Sequence, residues 1–264
     1  MNDTRIRKPA LAGLFYPAAA DELRAQLKGL LADTTPSNNE RPRAIIVPHA
    51  GYIYSGAAAA QAYARLAPWR EQIKHVLVLG PPHRVPMCGL ALSSATAFAT
   101  PLGDLPLDRS TMAAFTCEHD VAVNDLAHAP EYSIEVQLPF LQTVLGDINI
   151  LPLLVADPSP ARLAELLAPS WERDDTLIVI STDLSHFLND EAARRRDSET
   201  DETIMNLDAT RIGPEQACGC RPLNGLLHLA ARRAAHIERL ALCNSGDSAG
   251  SRARVVGYAA YALH

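Results

Sequence analysis

The stretch Ala44-Ile45-Ile46-Val47-Pro48-His49-Ala50-Gly51-Tyr52-Ile53-Tyr54-Ser55-Gly56 decides how this chain is read. Its short β-branched run predicts a buried strand. Pro48 has no N–H to give to a ladder, so the strand should end there. His49 then stands just past the strand's carboxyl end, the edge at which ligands collect in open α/β sheets. The pattern recurs twice. Val76-Leu77-Val78-Leu79-Gly80-Pro81-Pro82-His83 and Leu177-Ile178-Val179-Ile180-Ser181-Thr182-Asp183-Leu184-Ser185-His186 each pass from an apolar run into a loop carrying a histidine.

Outward from these strands the chain alternates apolar runs with helical spacing. Helices are expected over 21–31, 56–66, 108–115, 134–145, 160–167, 189–207 and 224–235. Further strands are expected over 90–98, 148–155, 240–243 and 254–263, and a polar loop over 34–42. No linker or low-complexity block interrupts the series. The expectation is one α/β domain over residues 1–264, a central mixed, largely parallel sheet with helices on both faces.

Of 264 residues, 48% are hydrophobic and 20% charged, enough apolar material for a sizeable core, and the net charge is −6. An acidic chain without a basic patch argues against nucleic acid as a partner. Arg194-Arg195-Arg196 lies among acids and reads as a solvated helix face. No signal peptide is seen, and no run is long and apolar enough to span a bilayer, which argues against a membrane. The five cysteines, Cys88, Cys117, Cys218, Cys220 and Cys243, are odd in number and scattered. That usage fits a reducing cytoplasm. Cys218-Gly219-Cys220 is too close a pair for the usual zinc spacing and reads as structural.

The chemistry collects in the loops. Neutral imidazole and carboxylate are ligands for Fe(II), and two histidines with one carboxylate leave positions open. A hydrolytic zinc site uses a similar set. His49 and His83 gain weight from their repeated context, whereas His75, His119, His228 and His236 have none and are set aside. Asp183 reads either as a site residue or as a cap on the turn after its strand. His128, Glu131 and Glu135 fall near helical spacing and form either a polar face on the site or a solvated one. Tyr54-Ser55-Gly56 is no nucleophile elbow. No phosphate-binding glycine motif occurs, so nucleotide binding has no support.

These residues carry a resemblance. Pro9 to Pro17, Pro48 to Gly56, Leu79-Gly80-Pro81-Pro82-His83, Thr100-Pro101-Leu102-Gly103 and Ser133 to Phe140 resemble stretches of the MEMO family (mediator of ErbB2-driven cell motility), whose bacterial and archaeal members are called AmmeMemoRadiSam system protein B. Ser181 to His186, Ala217-Cys218-Gly219, Ser245-Gly246-Asp247 and Val255 to Ala260 continue the match in order. That family is similar in fold to class III extradiol ring-cleaving dioxygenases (LigB-like), which hold a non-haem Fe(II). The resemblance implies His49 and His83 as metal ligands. The third place is a carboxylate in the dioxygenases and a cysteine in the animal MEMO proteins. Asp247 is assigned to it here, with Cys243 as second choice. His186 would be the acid/base residue with Asp183 beside it. The family usually has Glu-His-Ser where this chain has Glu131-Tyr132-Ser133, a departure that bears on any extradiol activity.

The functional expectation is therefore a metal-dependent oxidoreductase of the dioxygenase type. Fe(II) is the first choice of metal, with copper or zinc as alternatives. Tyr52, Tyr54, Arg84, Glu131 and Tyr132 are expected to bind substrate. Two other readings stand beside it: a non-catalytic accessory protein that takes a small molecule or peptide in the same pocket, and a metal-assisted hydrolase.

Overall fold

The structure is a computed structural model describing residues 5–34, 40–119 and 121–264. The expected 34–42 loop falls mostly outside these residues, as do the side chains of Cys117 and His119. The first strands and helices are β1 (Ile6–Arg7), α1 (Ala20–Ala32), β2 (Ala44–Val47), α2 (Tyr52–Ala64), β3 (His75–Gly80), β4 (Leu90–Leu92), β5 (Ala97–Thr100) and β6 (Gly103–Pro106). The middle of the chain supplies α3 (Arg109–His119), β7 (Ala122–Val123), α4 (Asp125–His128), α5 (Leu138–Leu145), β8 (Asn149–Val155) and α6 (Pro160–Trp171). The last third supplies β9 (Thr176–Ser181), β10 (His186–Leu188), α7 (Asp190–Met205), α8 (Cys220–Arg232), β11 (Ile237–Asn244) and β12 (Val255–Leu263).

Among the described residues, nine strands form one mixed sheet in the order β10-β12-β2-β9-β3-β8-β4-β7, with β11 also paired to β12. Its centre, β2-β9-β3-β8, is parallel. β12 joins β2 antiparallel, and β4 joins β8 antiparallel. A small second sheet, β1-β5-β6, ties the N-terminal arm down. The α/β class and the mixed sheet match the sequence reading, but the sheet is parallel only at its centre and between β4 and β7, because β12 and its partners β10, β11 and β2 pair antiparallel, as do β4 and β8. Helices α6 and α8 pack on each other and on β9, while α2 packs on β2, β11 and β12 and carries α1 and α5. No helix of the described residues is long and apolar enough to cross a membrane.

The three histidine-bearing strands are neighbours, in the order β2-β9-β3, and run parallel. Parallel neighbours lie about 4.8 Å apart, so their carboxyl ends bring three loops together. All six residues of β9 and all four of β2 are buried, as central parallel strands require.

Local departures have physical reasons. Helix α2 begins at Tyr52, immediately after Gly51, not at Gly56; this turns Tyr52 into the core. The run 90–98 divides into β4 and β5, which belong to different sheets. The segment 134–145 opens as a single 3₁₀ turn over Glu135–Gln137 before α5, with Pro139 in the first turn of that helix, where its missing N–H is harmless. Helix α8 starts four residues before the expected Asn224, at Cys220, so Cys218 and Gly219 form its approach.

Candidate metal centre

His49 leaves β2 buried, 1% exposed. Its backbone N–H donates to Oδ1 of Asp183 at 2.7 Å, which ties the first loop to the loop after β9. Its Nδ1 lies 2.9 Å from Oγ of Ser181, the last residue of β9. Burial, with the neighbouring His83 adding to it, holds the His49 imidazole far below its ordinary pKa, so the ring is neutral. Neutral imidazole is the ligating form.

His83 follows β3 and is held by Glu131. The carboxylate accepts from the His83 ring at Nδ1 (3.0 Å) and from the backbone N–H groups of His83, Arg84, Tyr132 and Ser133. Burial alone would raise the Glu131 carboxyl, but these donors pull it down to about 2. A carboxylate that accepts from a histidine's outer nitrogen sets that ring's tautomer and aim, the usual support of a metal-ligating imidazole. Glu131 thus holds the His83 ring, in contrast to the substrate contact expected of it. The approach of the two segments needs Gly80: a Cβ there would lie 2.5 Å from Oγ of Ser133.

The third member is Cys218. His49, His83 and Cys218 each offer a ligand atom, and these atoms all lie within 4.8 Å of one another. The Cys218 Sγ is 3.3 Å from His49 Nε2 and accepts from the Asp183 N–H at 3.3 Å. Burial, reinforced by the Asp183 carboxylate, pushes the thiol up to about 12, so a metal bound there must displace a proton. The position depends on Gly219, whose N–H donates to Thr182 Oγ1 at 2.8 Å. A Cβ on Gly219 would lie 2.7 Å from the Thr182 Cβ and 2.8 Å from the Ser181 carbonyl.

Asp247, the expected third ligand, is placed elsewhere. Its carboxylate binds Arg194 at 2.5 Å and accepts from the Asn244 N–H at 3.1 Å, completing a capping box on a short turn. Cys243 lies in β11, opposite Tyr258, and is likewise outside the cluster. The spacing rule that set Cys218-Gly219-Cys220 aside missed that one thiol can act alone with two distant imidazoles. Its signal in the sequence is the Ala217-Cys218-Gly219 match.

Asp183 and His186, the expected catalytic pair, flank the cluster. Burial pushes the Asp183 carboxyl up to about 6, against the lowering effect of the His49 N–H. His186 lines two cavities. One, of about 670 Å³, is bounded by His83, Arg84, Tyr132, His186, Phe187 and Cys218 among others. The other, of about 470 Å³, shares Tyr132 and His186 and runs past Asp183 along Phe15, Ile53 and Tyr54. Tyr132 stacks on His83 (centroids 4.8 Å, 13°) and meets His49 edge-on, with the Arg84 guanidinium 5.2 Å above it. Tyr54 and Arg84 therefore face the cavities. Tyr52 does not: its hydroxyl donates to the Val136 carbonyl at 2.6 Å, and its ring packs on Tyr16 and Phe140.

Comparison with known proteins gives the chain's family. The family model described as "Memo-like protein" matches residues 7–262. A "MEMO1 family protein" of Thermotoga petrophila is 34% identical over 274 residues, covering 96% of this chain and 97% of its own length. One from Aquifex aeolicus is 33% identical and one from Methanopyrus kandleri 35%, at the same coverage. A match from Arg7 to Ala262, with relatives above 30% identity across nearly the whole chain, shows that this protein belongs to the Memo-like family.

Proposed function

We propose that this protein is a metal-dependent oxidoreductase resembling the extradiol dioxygenases, with His49, His83 and Cys218 as the metal's ligands. The observation that carries this reading is the convergence of the three donor atoms beside an open cavity. The residues fit a metal. Each imidazole has its Nδ1 occupied by a polar partner, leaving Nε2 for coordination, and the thiol lies against one of these nitrogens. Two imidazoles and a thiol are softer than the two-histidine, one-carboxylate set expected. Fe(II) stays the first assignment, and the sulfur brings copper and zinc closer to it.

A bound redox metal would supply electron transfer and a positive charge beside the substrate. The chain's own residues do the rest. Asp183, whose carboxyl burial raises to about 6, exchanges a proton with a substrate hydroxyl reaching the inner end of the cavity. His186, at the junction of the two cavities, is the second proton-handling group. Tyr132 closes the wall over His83 in place of a histidine. Arg84, lying across that ring, offers its N–H edge to an anionic substituent.

The test is anaerobic purification, loading with Fe(II) or copper, and metal analysis of wild type and His49→Ala. One equivalent in wild type and a large loss in the variant are expected. Wild type that binds no metal sinks the reading. Metal binding with oxygen consumption at background across catechols, thiols and ascorbate favours the second reading, a non-catalytic module for a small molecule or peptide. That alternative draws on the apolar cavity, whose rim residues Leu14 and Ile53 are 79% and 63% exposed. Turnover of esters or amides without oxygen would point instead to a hydrolase.

A further inference from the structure

Behind His49 lies a fully buried chain of polar groups that reaches away from the site. The Tyr63 hydroxyl donates to Oε1 of Gln137 at 2.9 Å. Nε2 of Gln137 donates to the Pro48 carbonyl at 2.9 Å and to Ser181 Oγ at 2.8 Å. Ser181 Oγ is also at hydrogen-bond distance from the Ser133 carbonyl and from His49 Nδ1. Tyr63, Gln137, Ser133, Ser181 and His49 are each 1% exposed or less, so every polar atom must find its partner within the protein.

The direction of this chain follows by elimination. The Pro48 carbonyl can only accept, so the Gln137 amide must turn its NH₂ toward it; the flipped amide would set two oxygens against each other. That orientation also makes Gln137 the donor to Ser181. The Ser133 carbonyl can only accept as well, and the single proton of the Ser181 hydroxyl is the donor that meets it. Ser181 then has no proton left for His49. A proton on the His49 side of that contact is required, because an unprotonated Nδ1 would face a serine lone pair in a water-free interior. His49 therefore carries its proton on Nδ1, and its Nε2 lone pair is aimed at Cys218, 3.3 Å away.

We infer that Ser181 and Gln137 are positioning residues of the centre: they fix the His49 proton on Nδ1 and so present Nε2 to a metal. Glu131 does the same for His83 with a charge. On the His49 side the device is neutral, built from an amide, a hydroxyl and a carbonyl. This inference rests on the reading of His49 as a metal ligand, yet the tautomer is measurable in metal-free protein.

The experiment is a long-range proton–nitrogen correlation spectrum on histidine labelled with ¹⁵N, recorded on the full chain without metal. It is repeated for Ser181→Ala and Ser181→Thr and paired with zinc affinity measured against a chromophoric chelator. Wild type is expected to show one His49 tautomer, protonated at Nδ1. Ser181→Ala should lose that uniqueness and weaken zinc by about 10- to 100-fold, the usual effect of removing a group that orients a ligand. Ser181→Thr, which keeps the hydroxyl, should restore both. Gln137→Met should give mixed tautomers with a smaller loss of affinity. A wild-type His49 protonated at Nε2 overturns the inference. So does a Ser181→Ala protein that keeps the pure Nδ1–H tautomer with zinc affinity within threefold of wild type. If Ser181→Ala does not fold, the wild-type spectrum and Ser181→Thr still decide. Wild type that binds no zinc but shows the Nδ1–H tautomer defeats the metal reading alone.

Discussion

Nδ1 of His83 lies 3.0 Å from Oε1 of Glu131, and the same carboxylate accepts from four backbone N–H groups of the two loops it joins. One buried charge thus orients the ring and clamps the loop after β3 to the segment before α5. Glu131→Gln sets an NH₂ against donors that already need acceptors. Metal affinity should fall by about 10- to 100-fold, and stability by about 1–3 kcal/mol. Chelator competition and thermal unfolding measure the two effects. An unchanged affinity would mean that the His83 ring is held by its stacking on Tyr132 alone.

The third ligand is decided by a paired comparison. Cys218→Ala removes the only sulfur in the cluster and should abolish stoichiometric metal binding. Asp247→Asn breaks its pairing with Arg194 at the surface and should leave metal content within threefold of wild type. Metal analysis after anaerobic loading distinguishes them, and the reverse result would restore the carboxylate assignment.

Phe187 follows His186, has φ +61° and is 62% exposed, at a register shift between β10 and β12. A left-handed conformation costs a non-glycine residue about 1–2 kcal/mol. The shift turns one side chain outward while His186 lines both cavities. Phe187→Val, β-branched, should lose about 1–2 kcal/mol of stability. Phe187→Gly, although it forfeits the contact with Arg254, should lose less than the valine variant because glycine adopts this conformation freely. Denaturant unfolding of the two variants reads the order.

At the opposite end of the sheet, Asp108 accepts from the His75 ring at 2.7 Å and from Ser110 and Thr111. Burial alone would raise its carboxyl, but these donors bring it down to about 2. A carboxyl lowered on folding stabilises the protein above its unfolded value near 4, and that stability is lost as pH falls toward 2. Allowing for solvent screening, the contribution is about 1–2 kcal/mol. Asp108→Asn should lower stability at pH 6 by that amount and make the decline between pH 4 and pH 2 shallower. Unfolding free energies across that range test it, and parallel curves for the two proteins would refute it.

The apolar runs 44–47, 75–79 and 177–180, each ending at a polar loop, are enough to predict three buried strands and a shared edge. That inference needs only local chemistry: β-branched residues favour strands, and a proline or glycine ends them. The residues nearest the strand ends, His49, His83 and Asp183, were legible for the same reason, because a side chain one or two positions past a strand has little freedom in where it lies. Cys218 was not legible that way. Its place depends on the loop before α8 folding back onto Thr182, a contact between residues 37 apart that Gly219 permits by lacking a side chain. Asp247 and Tyr52 show the converse. The sequence offers both as site residues, but an arginine 53 positions away claims one and the turn at Gly51 buries the other. By itself the sequence determined the strands that carry the site and two of the three side chains of the candidate metal cluster. Which third group joined them was decided only by tertiary packing, since a sulfur and an imidazole 169 residues apart meet only when the whole sheet and its covering helix are assembled.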